Sequence, residues 1–471
     1  MEAHIFFGST EIQRPCTLET KNPYSGSVVS RYPECTVDDV HKALKIAEKA
    51  KKTMRESTLS QRITWLEDVA RKVEDNVEEL AQIITDEVGK TIHFSRIEAQ
   101  RCAETIRLSI HAAVELSGET FNSDAMPSGR KSLSFYQRVP AGVVAAITPF
   151  NFPLNLVTHK IAPALAAGNS VVLKPAPEAP LTSYRFIKYF IDSPHAIPDA
   201  ISLIYGDAEV GTALVQSPIP RVISFTGSAT VGKQIMQNAG IKKVALELGG
   251  NAATYIDKSA DLADAAQKCA MGSFYNAGQV CISLQRIYVH NDVSSSFQQL
   301  LAEETARLKV GDPYDPDTFM GPLINEETAK RAESWVKSAV AEGAEILCGG
   351  NREGRYFYPT IMANVTDSMN IVCEEVFAPI VSLVSVDNFD EALSRINNSP
   401  YGLQYSIFAN DLSLARRAID EFECGGVVVN DIPTVRFDIQ PYGGTKQSGI
   451  GKEGPRHALE EFTEIKSVVI F

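Results

Sequence analysis

The sequence predicts an α/β fold in which a helical stretch near the start gives way to strands and helices in alternation around a mainly parallel sheet. Three observations carry this. Residues 36–116 repeat apolar residues at helical spacing. From about residue 142 to 250, short β-branched runs alternate with helical stretches, and strand–helix–strand repetition builds parallel sheets covered on both faces. A second alternating region follows Cys281.

The elements follow in order. "TVDDVHKALKIAEKAKKTM" opens on a threonine cap with early acids, as a helix start requires. "SQRITWLEDVARKVEDNVEELAQIITDEVGK" reads as one helix closing near Gly89, and "SRIEAQRCAETIRLSIHAAVELSGE" as a third. "KSLSFYQRVPAGVVAAITPF" turns β-rich and is broken at Pro140 and Gly142. "GVVAAI", "SVVLKP", "AISLIYG", "RVISFTGS" and "KVALELGG" are strand candidates, separated by helical "LVTHKIAPALAAG", "TSYRFIKYFIDS" and "EVGTALVQS". Past Cys281 come "RIYVH", "SSSFQQLLAEETARLKV", "TAKRAESWVKSAVAEGAEILCGG", "IVSLVSV" and "GGVVVN". The chain closes on "IKSVVIF", a β-type tail that needs a partner in another element or subunit.

At 471 residues the chain exceeds what one core organises. Its 44% hydrophobic and 22% charged residues are ordinary for a globular protein. A net charge of −13 repels phosphate backbones and argues against nucleic acid. No apolar run is long enough for a membrane helix, and "MEAHIFFGSTEIQ" has no secretory pattern. The eight cysteines form no CxxC pair and none has a histidine at ligand spacing, which argues against a zinc site and suits the reducing cytoplasm.

Five short stretches carry candidate chemistry. "FTGSATVGK" takes a strand through Gly227 and Ser228 into a helix, where backbone N–H groups can meet a phosphate; a plain strand-to-helix turn explains it equally well. "VVLKPAPEAP" ends a strand on Lys174, at the ligand edge of a parallel sheet. "TPFNFP" sets Asn151 between prolines, which pre-organise its amide as an oxyanion donor. "LELGGN" puts Glu247 at an apolar strand end, where burial raises a carboxyl pKa toward that of a useful base. "GQVC" presents Cys281, a nucleophile if its thiol is activated and an inert core residue otherwise.

Taken together and in this order, with "EEVFAP" and "YGG…KQSGIGKEG", these stretches resemble the aldehyde dehydrogenase superfamily over nearly the whole chain. The resemblance implies a Rossmann-like cofactor domain (residues 1–120 and 141–248), an α/β catalytic domain (249–450) and a small β oligomerisation element (121–140, as a hairpin, and 451–471). It implies Cys281 as nucleophile, Asn151 as oxyanion donor and Glu247 as general base. Thr148, Pro149, Phe150, Lys174, Gly227, Ser228, Leu248, Glu375 and Phe377 would hold NAD or NADP, and Glu453 would assist proton traffic. Coenzyme A-acylating members usually lack the glutamate, so Glu247 favours hydrolysis to a carboxylic acid.

Members that prefer NAD often place a glutamate three residues after the lysine. Here Pro177 stands there and Glu178 follows, which leaves room for NADP. Arg101, His159 and Arg436 map near the substrate tunnel and suit a small polar or anionic aldehyde. Val280 replaces the arginine that glyceraldehyde-3-phosphate enzymes carry before the nucleophile. The pattern therefore looks most like lactaldehyde dehydrogenases, with phosphorylated, phosphonate, sulfonate or semialdehyde substrates as the alternative. A homodimer or homotetramer is implied.

Overall fold

The computed structural model describes residues 1–471. Near its start the chain forms two short hairpins, β1 (Ile5–Phe7) with β2 (Thr10–Ile12), and β3 (Leu18–Lys21) with β4 (Val28–Tyr32). Four helices follow: α1 (Val37–Glu56), α2 (Leu59–Asp75), α3 (Val77–Val88) and α4 (Ile92–Glu115). Capping boxes at Thr36/Asp39 and Thr58/Gln61 start the first two. The single helix expected to run to Gly89 is therefore two. The chain breaks at Asn76, whose side chain bonds back to the Lys72 carbonyl at 2.7 Å and competes with the helical ladder. Gly89 closes α3 in the left-handed conformation (φ 69°).

The strands β5 (Leu133–Pro140), β6 (Val143–Ile147), β7 (Ser170–Lys174), β8 (Ile201–Leu203), β9 (Val222–Thr226) and β10 (Lys243–Glu247) come next. One sheet has the order β2-β1-β8-β7-β6-β9-β10, with Gly449–Ile450 at its far edge. Its five central strands are parallel. The crossovers are α5 (Asn155–Ala166), α6 (Pro180–Ile191), α7 (Ala208–Gln216) and α8 (Ala229–Asn238). The chain winds outward from β6 first to one side (β7, β8) and then to the other (β9, β10). This puts a topological switch beside β6, and a ligand crevice forms at the carboxyl ends of such strands.

The second sheet centres on β11 (Ala252–Ile256) and β12 (Leu284–His290), joined by helix α9 (Leu262–Phe274). Its strands run Glu345–Cys348, Thr360–Ala363, Ile380–Val386, β12, β11, Gln404–Phe408, Gly426–Val429, all parallel except the first pair. The two sheets keep separate cores of 68 and 45 buried apolar residues, so the cavity between them can be polar without interrupting either core.

The tail strand Thr463–Ile470 pairs antiparallel with β5 along its whole length. Of the hairpin expected near 121–140 one bridge forms, Thr120 to Phe135, while β5 pairs in full with the tail. Leu133, Ile465, Val469, Ile470 and Phe471 remain exposed on this ribbon. No helix is long and apolar enough to cross a membrane. Folding also gathers Glu2, His4 and Cys16, whose ligating atoms lie within 4.8 Å of one another, a grouping that spacing along the chain did not announce.

Candidate active site

A cavity of about 590 Å³ opens at the switch point, within the range of small-molecule sites. Its wall gathers Thr148–Phe152 after β6, Lys174 and Glu178 after β7, Gly227 and Ser228 after β9, and Glu247–Gly249 at the end of β10. The second sheet's unit supplies Val280, Cys281, Ile282, Glu375 and Phe377, and the region near the carboxyl end supplies Arg436, Tyr442 and Glu453.

Cys281 follows a tight turn. Asn276 (φ 50°), Ala277 (φ 54°) and Gly278 (φ 71°) are all left-handed, and a Cβ on Gly278 would sit 2.3 Å from the Ala378 carbonyl oxygen. The turn delivers the thiol, half-buried, to the cavity wall. The glycines of "LELGGN" serve close approach as well: a Cβ on Gly249 would meet the Glu375 carboxylate at 2.3 Å, and one on Gly250 the Cys281 carbonyl oxygen at 2.3 Å. Cys281 Sγ lies 2.8 Å from the Tyr442 hydroxyl. The lowered thiol pKa that attack calls for is not what burial gives. Burial first, with Glu375 and Glu247 adding to it, pushes the thiol up to about 12 against the pull of the Tyr442 hydrogen bond and the Arg436 charge.

Asn151 Nδ2 donates to the Gln279 carbonyl at 3.0 Å, which ties the "TPFNFP" loop to the Cys281 turn. One amide hydrogen is left over, and Asn151 Oδ1 is buried without a partner. Glu247 is buried, and its Oε2 also lacks a partner. Burial first, then the Glu453 charge, hold its carboxyl well above the ordinary range, against the pull of Arg436, Lys160 and Lys452. Glu453 behaves oppositely. Burial alone would raise it, but Lys160 (3.3 Å), Arg436 (2.8 Å) and His159 bring it down to about 2.

The residues after β6, β7 and β9 suit a dinucleotide. Ser228 caps α8 by accepting from Val231 N–H at 3.3 Å, so the helix N-terminus faces the cavity as an anion site. Thr148 Oγ1 and Thr226 Oγ1 are buried there without hydrogen-bond partners. Burial depresses the pKa of the Lys174 ammonium, against the pull of the Glu178 charge beside it. Leu248 packs against Gly232 of α8, where a Cβ would come within 2.5 Å of it. Glu375 accepts from Gly250 N–H at 3.0 Å and is pushed up to about 7 by burial. Phe377 holds a left-handed backbone (φ 49°) and stands edge-on to Phe150 with ring centres 6.1 Å apart.

The cations expected at the tunnel are already partnered. Arg101 reaches the wall but forks onto Asp438 (2.7 and 2.9 Å). Arg436 also lines it, bonded to Glu453 and stacked 3.8 Å over the Tyr442 ring. His159 stands behind this wall, not on it, with Nε2 3.0 Å from Asp438; burial first, then Arg436, lower its pKa. It faces a small second cavity with Lys160, Glu247 and Glu453. Tyr442, Lys160 and Asp438 are the members that reading the sequence missed. Tyr442 sits inside the "YGG" motif, which was a usable signal. Asp438, an acid between exposed Phe437 and Ile439, gives none.

Residues 11–468 match the aldehyde dehydrogenase family. The chain is 44% identical to a 3-sulfolactaldehyde dehydrogenase of Priestia aryabhattai, over 96% of this chain and 94% of that one. It is 39% identical to a lactaldehyde dehydrogenase of Methanococcus aeolicus, over 96% and 97%. It superposes on glyceraldehyde-3-phosphate dehydrogenase from Methanocaldococcus jannaschii complexed with NADP with a TM-score of 0.92, at 38% identity, covering 98% of this chain and 100% of that one. The chain belongs to the aldehyde dehydrogenase family and is an NAD(P)-dependent oxidoreductase.

Proposed function

From that membership, we propose that the chain oxidises a short polar aldehyde, lactaldehyde- or glycolaldehyde-like first, to its carboxylic acid. The observation that carries this is the character of the wall beside Cys281. The two arginines that line it are each bonded to a carboxylate, Arg101 to Asp438 and Arg436 to Glu453, so the surface is rich in hydrogen-bonding groups with its charges paired. Such a wall favours hydroxyl groups, and its fixed carboxylates oppose a dianion. A sulfonate- or carboxylate-bearing aldehyde is the second reading, favoured by the two arginines on the wall and by the substrate named for the Priestia relative.

In the proposed chemistry the Cys281 thiolate adds to the aldehyde carbon, and the resulting oxyanion receives the free Asn151 amide hydrogen and the Cys281 backbone N–H. NAD or NADP, when bound, supplies the acceptor for the hydride that leaves this carbon. Thr148, Pro149, Phe150, Lys174, Gly227, Ser228, Leu248, Glu375 and Phe377 would hold it. Glu247, once deprotonated, takes a proton from water as that water attacks the Cys281 thioester, and the acid departs while Sγ is released. Glu453 and Lys160 lie next to Glu247 and set its basicity, the Glu453 charge raising its pKa and the Lys160 charge lowering it.

A kcat/KM panel tests the reading: lactaldehyde, glycolaldehyde, 3-sulfolactaldehyde, succinic semialdehyde, phosphonoacetaldehyde and hexanal, with wild type and Arg101→Ala. Hydroxyaldehydes leading supports the first reading. Sulfolactaldehyde leading, with a loss of about tenfold (~1.4 kcal/mol) in the variant, establishes the second. Hexanal leading sinks both. The apolar β5–tail ribbon is proposed as the surface of a homodimer or homotetramer, to be read by sedimentation, and the cytoplasm as the compartment.

A further inference from the structure

We infer that Tyr442 is a further catalytic residue, whose hydroxyl donates to Cys281 Sγ as the thiol ionises and stabilises the thiolate, with Arg436 as the positioning residue behind it. This rests on Cys281 being the nucleophile, as proposed above. No other side chain or backbone group hydrogen-bonds Sγ.

The phenol is fixed from three sides. Its backbone exchanges two hydrogen bonds with Glu453, N–H to carbonyl at 2.9 Å and carbonyl from N–H at 2.6 Å. The Glu453 carboxylate also grips Arg436, so one residue anchors both the tyrosine and the cation stacked on its ring. Val280, Ile282 and Leu403 pack around the aromatic face, and Tyr442 is only 3% exposed. A phenol in such a place stays neutral. Burial, then Cys281, raise it well above 10 against the pull of Arg436, and Glu247 adds to the rise. Between a neutral phenol and a thiolate the hydrogen can only run from oxygen to sulfur, and a hydrogen bond to an ionised acceptor is about twice as strong as a neutral one.

The groups facing Sγ act in opposition. Glu247 on β10 and Glu375 disfavour the thiolate, while Tyr442 and Arg436 favour it. With all four groups in place the thiol stands at about 12, roughly one thiolate in 10⁵ molecules at pH 7, so losing either member of the favouring pair lowers an already small nucleophile population. The thiol proton leaves to solvent through the open cavity. Once the C–S bond forms, sulfur is a poor acceptor and the phenol is released from it.

Tyr442→Phe tests this, because it keeps the ring, the stacking on Arg436 and the apolar packing, and removes only the hydroxyl. Alkylation of Cys281 by iodoacetamide is followed by mass spectrometry from pH 6 to 10, beside pre-steady-state acylation. The variant is expected to melt like wild type. Its alkylation rate should fall about tenfold at every pH in that range, and acylation should slow while thioester hydrolysis does not. A wild-type alkylation profile in Tyr442→Phe overturns the assignment. Cys281→Ala run in parallel separates the two claims: if it still turns over aldehyde, the nucleophile reading itself falls.

Discussion

The Asn151 loop rests on a buried ion pair, and breaking that pair asymmetrically is the most informative perturbation of the fold beneath the site. Lys90 and Glu98 are both without solvent exposure, and the Lys90 ammonium sits 3.7 Å from the centre of the Phe152 ring. Glu98 Oε1 accepts the backbone N–H groups of Leu154 (2.9 Å) and Asn155 (3.1 Å), capping α5, which has no side-chain cap from Leu154 itself. Glu98→Gln keeps that oxygen and removes the charge, so the Lys90 ammonium stands buried and unpaired. A broken buried pair costs about 3–5 kcal/mol. The loss has a ceiling, because Lys90 can neutralise instead: from its ordinary 10.5 down to pH 7 that costs about 5 kcal/mol, at about 1.36 kcal/mol per unit. Thermal unfolding should therefore drop by roughly 6 °C or more. Burial already depresses Lys90, so the folded protein binds fewer protons there than the unfolded chain. The deficit of Glu98→Gln should then shrink as pH rises from about 7 toward 10.5. Adding Lys90→Met removes the stranded charge and should recover all but about 1 kcal/mol, with kcat/KM within about threefold of wild type, since the amide oxygen introduced by Glu98→Gln still holds α5. Equal melting of the single and double variants, or a Glu98→Gln protein as stable as wild type, would refute the reasoning.

Two further outcomes follow from the site. Glu247 is held above the ordinary carboxylate range, so the base form accumulates only as pH rises, and turnover should climb with pH; Glu247→Gln should keep the first-turnover burst, lose about 100-fold or more in steady state, and flatten that climb, whereas unchanged turnover would remove Glu247 from the mechanism. Glu178 lines the cavity beside Lys174 and opposes a 2′-phosphate there. Glu178→Gln should raise the NADP-to-NAD ratio of kcat/KM by about tenfold, and an unmoved ratio means that the carboxylate does not face the ribose.

What the sequence disclosed and what it hid divide along a physical line. The strand–helix alternation around β6–β10 was readable because each element buries its own apolar run. "LELGGN" and "NAGQVC" were readable because glycine is required wherever the Glu375 carboxylate or the Ala378 carbonyl crowds the backbone. The break at Asn76 was hidden, since α2 and α3 continue one apolar periodicity and only a side-chain bond to Lys72 separates them. The state of the arginines was hidden more deeply. Arg101 is 337 residues from Asp438, and no local pattern states that its charge is already spent on a carboxylate. Arginines in the right places were legible; their compensation was not.

That compensation also decides which of two neighbouring acids can move protons. Glu247 and Glu453 share a water-sized cavity and the same cations, yet they are driven in opposite directions. Glu453 collects direct bonds from Lys160 and Arg436 and becomes a fixed anion at about 2. Glu247 feels that anion, receives no direct partner on Oε2, and is left where a proton can come and go. Pairs whose surroundings push their pKa values apart are how one site holds both a permanent charge and a base. The same fixed anion anchors Arg436 over Tyr442. Neutralising Glu453 would thus free Glu247 to ionise at lower pH while loosening the cation behind the phenol, and the two halves of the reaction should respond with opposite sign. A site in which Glu453 served only to fill space would show neither change.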